Sequence, residues 1–178
     1  MIWLFFVWPW KAKPYKFYNK SSDVHMGQSQ FPISTNKLIL IQNSLFLSLH
    51  LTEQAQGGAI FIRNESIKIH FGNVGFYQCS TNGQYGGALL LDADSLNLTY
   101  VCAGECEATH TSYQFAYLKA VQSSFLKQLT IRRCGYQNAG RTAMAICGEA
   151  QFFNNQINST DNYNQYGTKC NGCCFATA

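Results

Sequence analysis

The tetrapeptide Gly57-Gly58-Ala59-Ile60 returns as Gly86-Gly87-Ala88-Leu89, 29 residues later. Self-similarity at a fixed period of this size marks a stacked repeat, and it constrains the fold more than any local propensity. The register carries beyond the glycines. Ile60-Phe61-Ile62 aligns with Leu89-Leu90-Leu91, Ser66 with Ser95, Ile67-x-Ile69-x-Phe71 with Leu96-x-Leu98-x-Tyr100, and Gly75 with Gly104. One step back, Leu38-x-Leu40 meets Ile67-x-Ile69. One step forward the pattern decays. Ser124-Phe125 keeps the register of Ser95-Leu96, and Leu129-x-Ile131 is slipped by a few residues. Ala143-Met144-Ala145-Ile146 then repeats the small-plus-apolar strand at a spacing near 28.

The alternation has period two, which belongs to strands and not to helices. Its Ile, Leu, Val, Phe and Tyr mostly suit a pleated surface. A leucine-rich repeat also fits this length, but no L-x-x-L-x-L-x-x-N pattern is present. One such unit cannot bury its inward face alone. Stacking the next unit about 4.8 Å away pairs the backbones and sets like residues over like. The expected fold is all-β, a parallel β-helix (solenoid) of about 4–5 coils of about 29 residues. Ala59 above Ala88 and Ile67 above Leu96 are its expected inner columns. Residues 1–35 form an apolar and basic N-terminal segment, a signal remnant or a cap. Residues 36–155 are the repeats, and 156–178 an Asn- and Cys-rich tail that would close the other end.

Charged residues make up 12% of the chain, against about 25% in ordinary soluble domains. The net charge of +4 is concentrated in Lys11, Lys13, Lys16 and Lys20, and no acid occurs in the first twenty residues. The remainder is neutral and offers no basic stripe to neutralise phosphates, which argues against nucleic acid as a partner. Met1–Trp10 is apolar but far short of the roughly 20 residues that span a bilayer. It reads either as the apolar part of a secretory signal or as a truncated start.

Eight cysteines are many for a reduced cytosolic protein. Cys79, Cys106 and Cys134 are 27 and 28 residues apart, close to the repeat, so they should share a column. Stacked parallel cysteines suit a disulfide poorly, and the plainer reading is buried free thiols acting as small apolar residues. Cys102-x3-Cys106 and Cys170-x-x-Cys173-Cys174 have zinc-like spacing. His25, His50, His70 and His110 are scattered, however, and supply no matching pair. No metal and no cofactor is expected. Sequons at Asn19, Asn64, Asn97 and Asn158 mildly favour a secretory route. Asn97 should face outward between Leu96 and Leu98.

Arg63, Glu65, Asp92 and Asp94 fall in register on one outer face, the best catalytic cluster the sequence offers. The plainer alternative is a solvated turn with an Arg63–Asp92 ion pair between coils. Glu105 and Glu107 are a second acidic pair, near the register of Arg132 and Arg133, and pairing between coils is again the plainer reading. Phe76, Tyr77, Tyr113 and Tyr117 would serve as a sugar-stacking platform or, more simply, as column fillers. No Ser–His–Asp order, phosphate loop or G-x-S-x-G is present, and no residue is assigned a catalytic role.

Gly57-Gly58-Ala59-Ile60, Gly86-Gly87-Ala88-Leu89 and Phe152-Phe153-Asn154-Asn155 (an F-x-x-N match) resemble the repeats of polymorphic outer-membrane proteins of intracellular bacteria. Long Cys- and Asn-rich surface proteins of parasitic protists look similar. The resemblance covers roughly residues 36–155. It implies a right-handed parallel β-helix at a cell surface or secreted, without enzymatic activity, engaged in adhesion or recognition. The partners so implied are a host or cell-surface glycan or protein; separately, unpaired strand edges at open coil ends would invite self-association. Two alternatives are a carbohydrate-active β-helix enzyme using Glu65, Asp92 and Asp94, and a truncated fragment of a larger surface protein.

Overall fold

The structure is a computed structural model. It describes residues 23–26, 29–32, 38–51, 56–83, 85–109, 113–135, 142–147, 151–162 and 173–176. The apolar start, its four lysines, Asn19, His110 and Cys170 lie outside them.

The chain is an all-β parallel solenoid of about four turns. Its strands are β1 (Asp23–Met26), β2 (Ser29–Pro32), β3 (Leu38–Leu47), β4 (His50–Leu51), β5 (Ile60–Tyr77) and β6 (Ser80–Thr81). They continue as β7 (Leu89–Gly104), β8 (Glu107–Ala108), β9 (Tyr113–Arg132), β10 (Thr142–Cys147), β11 (Gln151–Thr160) and β12 (Cys173–Ala176). Each complete coil has a first side, a second side bent at a corner, and a short third side. The first side stacks Ile60 on Leu89, Ala116 and Met144. The second side stacks β3, the later part of β5, β7 and β9, and β11. The third side is β4, β6 and β8.

The glycine pairs are explained by close approach between coils. Gly57 and Gly86 have φ of 70° and 64°, the region glycine enters without a Cβ penalty. A Cβ on Gly58 would lie 2.2 Å from the Gly87 carbonyl oxygen and 2.3 Å from that of Ser80. A Cβ on Gly87 would meet the Gln114 oxygen at 2.1 Å. Ala59 and Ala88 then stack in the core as expected, with the Ala59 N–H donating to the Ala88 carbonyl at 2.9 Å. In the following coil Phe115 takes this column, and the Gln114 side chain accepts the Ala108 N–H at 3.0 Å. The motif is therefore absent there although the coil continues.

Two corners per coil are built without glycine. Asn43, Asn73, Tyr100, Gln128 and Gln156 all have φ between 50° and 59°. Ser48, Gln78, Glu105, Arg133 and Asp161 have φ between 51° and 54°. The first five occupy one column, as the pairing on either side of each fixes. Left-handed backbone costs a non-glycine residue of order 1–3 kcal/mol. Contacts between coils offset it. Asn73 donates to Asn43 at 2.9 Å, and Gln78 to Glu105 at 3.0 Å. The Gln78 N–H reaches the Gly104 carbonyl, and that of Glu105 the Arg132 carbonyl.

The register departs from a uniform 29 at several steps. Ile39 pairs with Ile69, a step of 30. Ile39 and Ile41 therefore face the core, and Leu38 is 56% exposed. The expected Leu38–Ile67 match was one residue out, and an odd slip exchanges the two faces. Between β5 and β7 the step falls from 29 to 27 across an irregularity at Asn64–Lys68. Leu96 thus stacks on Ile69 and not on Ile67, Ser95 on Lys68, and Gly104 on Tyr77. This slip is even, so Ile67, Ile69 and Phe71 all stay buried as expected. Between β7 and β9 the step reaches 28, placing the buried Ser124 over Leu96 and leaving Phe125 40% exposed on the Asn97 column.

The core is a stack of like on like, with Phe46 flat against Phe76 at 5.0 Å and Phe76 meeting Phe115 at 5.8 Å. At the N-terminal end β1 and β2 form an antiparallel hairpin, and β1 pairs antiparallel with Ile60–Ile62. Part of the N-terminal segment thus covers the first-side edge. Paired strand does not stop at residue 155: β11 stays in register to Thr160, and β12 pairs with β10. The tail adds to the stack because its backbone supplies the next ladder, whatever its side-chain pattern. Ile41→Ala should cost about 2–5 kcal/mol in denaturant unfolding. Leu38→Ala in dilute solution should change stability by less than about 0.5 kcal/mol. The reverse order would refute the 30-residue step.

Candidate functional site

The outer surface of the first side carries the charged cluster. Arg63 stacks on Asp92, and Asp92 on Lys119. The Arg63 Nε lies 3.9 Å from Asp92, the Lys119 Nζ 3.3 Å from Asp92 and 2.6 Å from Glu65. Arg63 also donates to Gln56 at 3.2 Å and stands 5.7 Å over the Phe61 ring. The Asp92 side chain is only 11% exposed, so its charge needs partners on both sides. Asp94 accepts from the Ser95 hydroxyl at 3.1 Å instead. The structure thus brings Arg63, Glu65 and Asp92 together through Lys119, which the sequence reading missed. Its place follows from the 27-residue step between Asp92 and Lys119, where the visible repeat had already decayed. Lys119 beside Glu65 holds that carboxyl below its ordinary range, and Glu65 in turn holds the Lys119 ammonium above its own.

Next to this ladder three tyrosine rings converge. Tyr85, Tyr113 and Tyr117 have centroids 5.4 to 5.8 Å apart. Tyr117 shares the outward column of Phe61 and Leu90. Burial, followed by the neighbouring Cys147, pushes the Tyr117 hydroxyl up to about 12. Of the expected platform, Tyr113 and Tyr117 belong here, joined by Tyr85. Phe76 does not: it is 1% exposed in the core, because the bend at Asn73 shifts the inward phase by one residue. Tyr77 lies beside a different corner.

That corner holds the second acidic group. Ser48 donates to Gln78 at 3.3 Å, Gln78 to Glu105 at 3.0 Å, and Arg133 lies 3.9 Å from Glu105. Arg132 pairs with Asp161 at 3.6 Å rather than with the glutamates. Glu107 lies on β8, stacked on Ser80. Gln78 and Tyr77 lower the Glu105 carboxyl, and Glu105 raises the Tyr77 hydroxyl. Pairing between coils accounts for this acid, and exposed pairs of this type contribute about 0–1 kcal/mol.

Cys79, Cys106 and Cys134 form the expected column, each fully buried and unbridged. Each thiol points to the carbonyl two residues back, at 3.6 Å for Cys79, 3.4 Å for Cys106 and 3.7 Å for Cys134. A thiol thereby serves as a weak donor at the second corner. Cys106 beside Cys79, with burial, raises the Cys79 thiol far above its ordinary range. Cys134 and burial do the same for Cys106. Asn162 ends the column. It is buried, accepts the Cys134 N–H at 2.8 Å and donates to the Ile131 carbonyl at 3.2 Å. Cys102 is exposed while Cys106 is buried, so the C-x3-C spacing spans outside and inside and cannot close on one ion. Asn97 faces outward as expected, half-buried and stacked between His70 and Phe125 of its own column.

Comparison with known protein families, curated proteins and solved structures yields no match to the chain. Among the described residues, no group of three or more His, Cys, Asp or Glu is placed to hold a metal ion.

A thiol reagent should label Cys102 in the native protein, and Cys79, Cys106 and Cys134 only after unfolding, as peptide mapping would show. The raised folded thiols also set a pH dependence. Above the ordinary thiol value of 9.0 the unfolded chain loses these protons before the folded one, so stability should fall as pH rises through that value. In denaturation from pH 7 to 10 the alkaline loss should be smaller in the Cys79→Ala/Cys106→Ala variant.

Proposed function

We propose that this chain is a non-enzymatic β-solenoid recognition module, secreted or displayed at a cell surface, that binds carbohydrate on the outer face of its first side. The observation that carries the reading is the juxtaposition of the Tyr85–Tyr113–Tyr117 cluster with the Arg63–Asp92–Lys119–Glu65 ladder. Aromatic faces stack on the apolar faces of sugar rings, and ordered charges beside them supply hydrogen bonds to hydroxyls. Asp92, Tyr117 and Lys119 at its centre are each tied by strand pairing to the coil before and the coil after.

The state of the carboxyls supports binding over bond cleavage. A glycosidase needs one carboxyl raised so that it stays protonated as general acid. Glu65 is moved the other way by Lys119, and Asp92 is shared between two cations. The low charge and the outward sequons at Asn97 and Asn158 are consistent with a secretory route.

A glycan array followed by calorimetry tests the reading. Binding should weaken at least about tenfold, about 1.4 kcal/mol, in Tyr113→Ala and in Lys119→Met, with both variants folded. Incubation with the bound glycan should release no reducing ends. Release that disappears in Asp92→Asn would establish the enzymatic alternative in its place, and a full array without binding would remove the carbohydrate reading. Independently, Lys119→Met should raise the Glu65 titration towards 4.5, measured by NMR.

A further inference from the structure

At the N-terminal end of the second side, β3 pairs with β5 on one edge and with no strand among the described residues on the other. The hairpin of β1 and β2 covers the neighbouring first side only. Edge strands of this length are templates for pairing, and folded proteins usually blunt them with charge, proline or a bulge. None of these is present in Leu-Ile-Leu-Ile-Gln-Asn-Ser-Leu-Phe-Leu. Exposed apolar side chains gather there instead. Leu38 is 56% exposed, Leu45 36% and Leu47 46%, and Tyr77 beside Leu47 is 39% exposed.

We propose that β3 is a self-association strand that pairs antiparallel with β3 of a second copy of this chain, joining two solenoids by their N-terminal ends about a two-fold axis. The sequence of the strand selects this occupant, because it is self-complementary when read against itself. In the register that sets Leu38 opposite Leu47, Ile39 faces Phe46, Leu40 faces Leu45, Ile41 faces Ser44, and Gln42 faces Asn43. Every pair then joins residues of the same side. Ile39, Ile41, Ser44 and Phe46 are the inward set, at least partly buried within each copy, and each meets another inward residue. Leu38, Leu40, Leu45 and Leu47 are the outward set, and each meets another outward leucine. A slip of one residue would set inward against outward along the whole strand. The two polar residues meet at the axis, at the Asn43 corner, and the exposed leucines are covered by their symmetry mates. An isologous contact of this kind closes at two copies and leaves no further edge of the same type.

The pairing predicts a charge-complementation result in the full chain. By sedimentation velocity the wild type should run as a dimer at micromolar concentration. Leu38→Lys and Leu47→Glu should each run as monomers with unchanged far-UV circular dichroism. Both side chains already face solvent, so the fold should survive; if the Leu38→Lys chain does not fold, the pair Leu45→Lys and Leu40→Glu, which face each other in this register, takes the place of Leu38→Lys and Leu47→Glu. An equimolar mixture of Leu38→Lys and Leu47→Glu should recover a heterodimer, since the introduced charges then face each other across the axis. A monomeric wild type, a variant that remains dimeric, or a mixture that fails to recover would each overturn the proposal.

Discussion

The structure depends on parallel backbones stacked one coil above another. A strand of one coil has half of its hydrogen-bonding groups unsatisfied until the next coil supplies them. The same ladder then fixes which side chains lie over which. It also lets the corners exist. Among the described residues, ten non-glycine positions have positive φ, an improbable set in isolated turns. Here they stack in two columns, and contacts such as Asn73 to Asn43, Gln78 to Glu105, and the N–H groups of Ser48, Gln78, Glu105 and Arg133 to the next coil's carbonyls tie them together. The inward surface follows from the same constraint, with Phe46, Phe76 and Phe115 in one aromatic stack and Ile60, Leu89, Ala116 and Met144 in one aliphatic column.

Stacking also decides the chemistry of individual groups. Asp92 sits in a nearly closed position with a cation on either side, because the residue one coil before it is Arg63 and the one after it is Lys119. Glu65 is drawn into the same set by Lys119, from two coils away. The Cys79 thiol is kept protonated by Cys106 and burial, that of Cys106 by Cys134 and burial, and their column continues to Asn162, where an amide in place of sulfur closes the corner's hydrogen bonds. A face whose acids are neutralised in this way is suited to holding a ligand in a fixed orientation. The ligand proposed for this face would meet the tilted rings of the tyrosine cluster beside it.

Much of this was legible in the residues. Period-two alternation and the recurring Gly-Gly-Ala identified strands, their stacking, and the pairing of Arg63 with Asp92. The cysteine spacing identified a shared column. Lys119 was not legible, because loop and bulge lengths alter the step between coils and the repeat fades before that residue is reached. Which aromatics face inward was not legible for a related reason: Phe76 fills an inner column, as the plainer reading had it, but the bend at Asn73 that puts it there shifts the phase of the alternation, and a single asparagine does not fix where a left-handed residue falls. The corner columns left almost no mark, since Ser, Gln, Tyr, Glu and Arg occupy positions where glycine or asparagine would have been sought.

By itself the sequence determined which residues alternate, where two coils approach too closely for a side chain, and that no unit could bury its apolar face alone. Only the tertiary structure decided the register. A period-two pattern is unchanged by a slip of two residues, as between Ile67 and Ile69, and inverted by a slip of one, as between Leu38 and Ile39. Local sequence carries the pattern, while the lengths of the turns between strands, summed around each coil, set its phase.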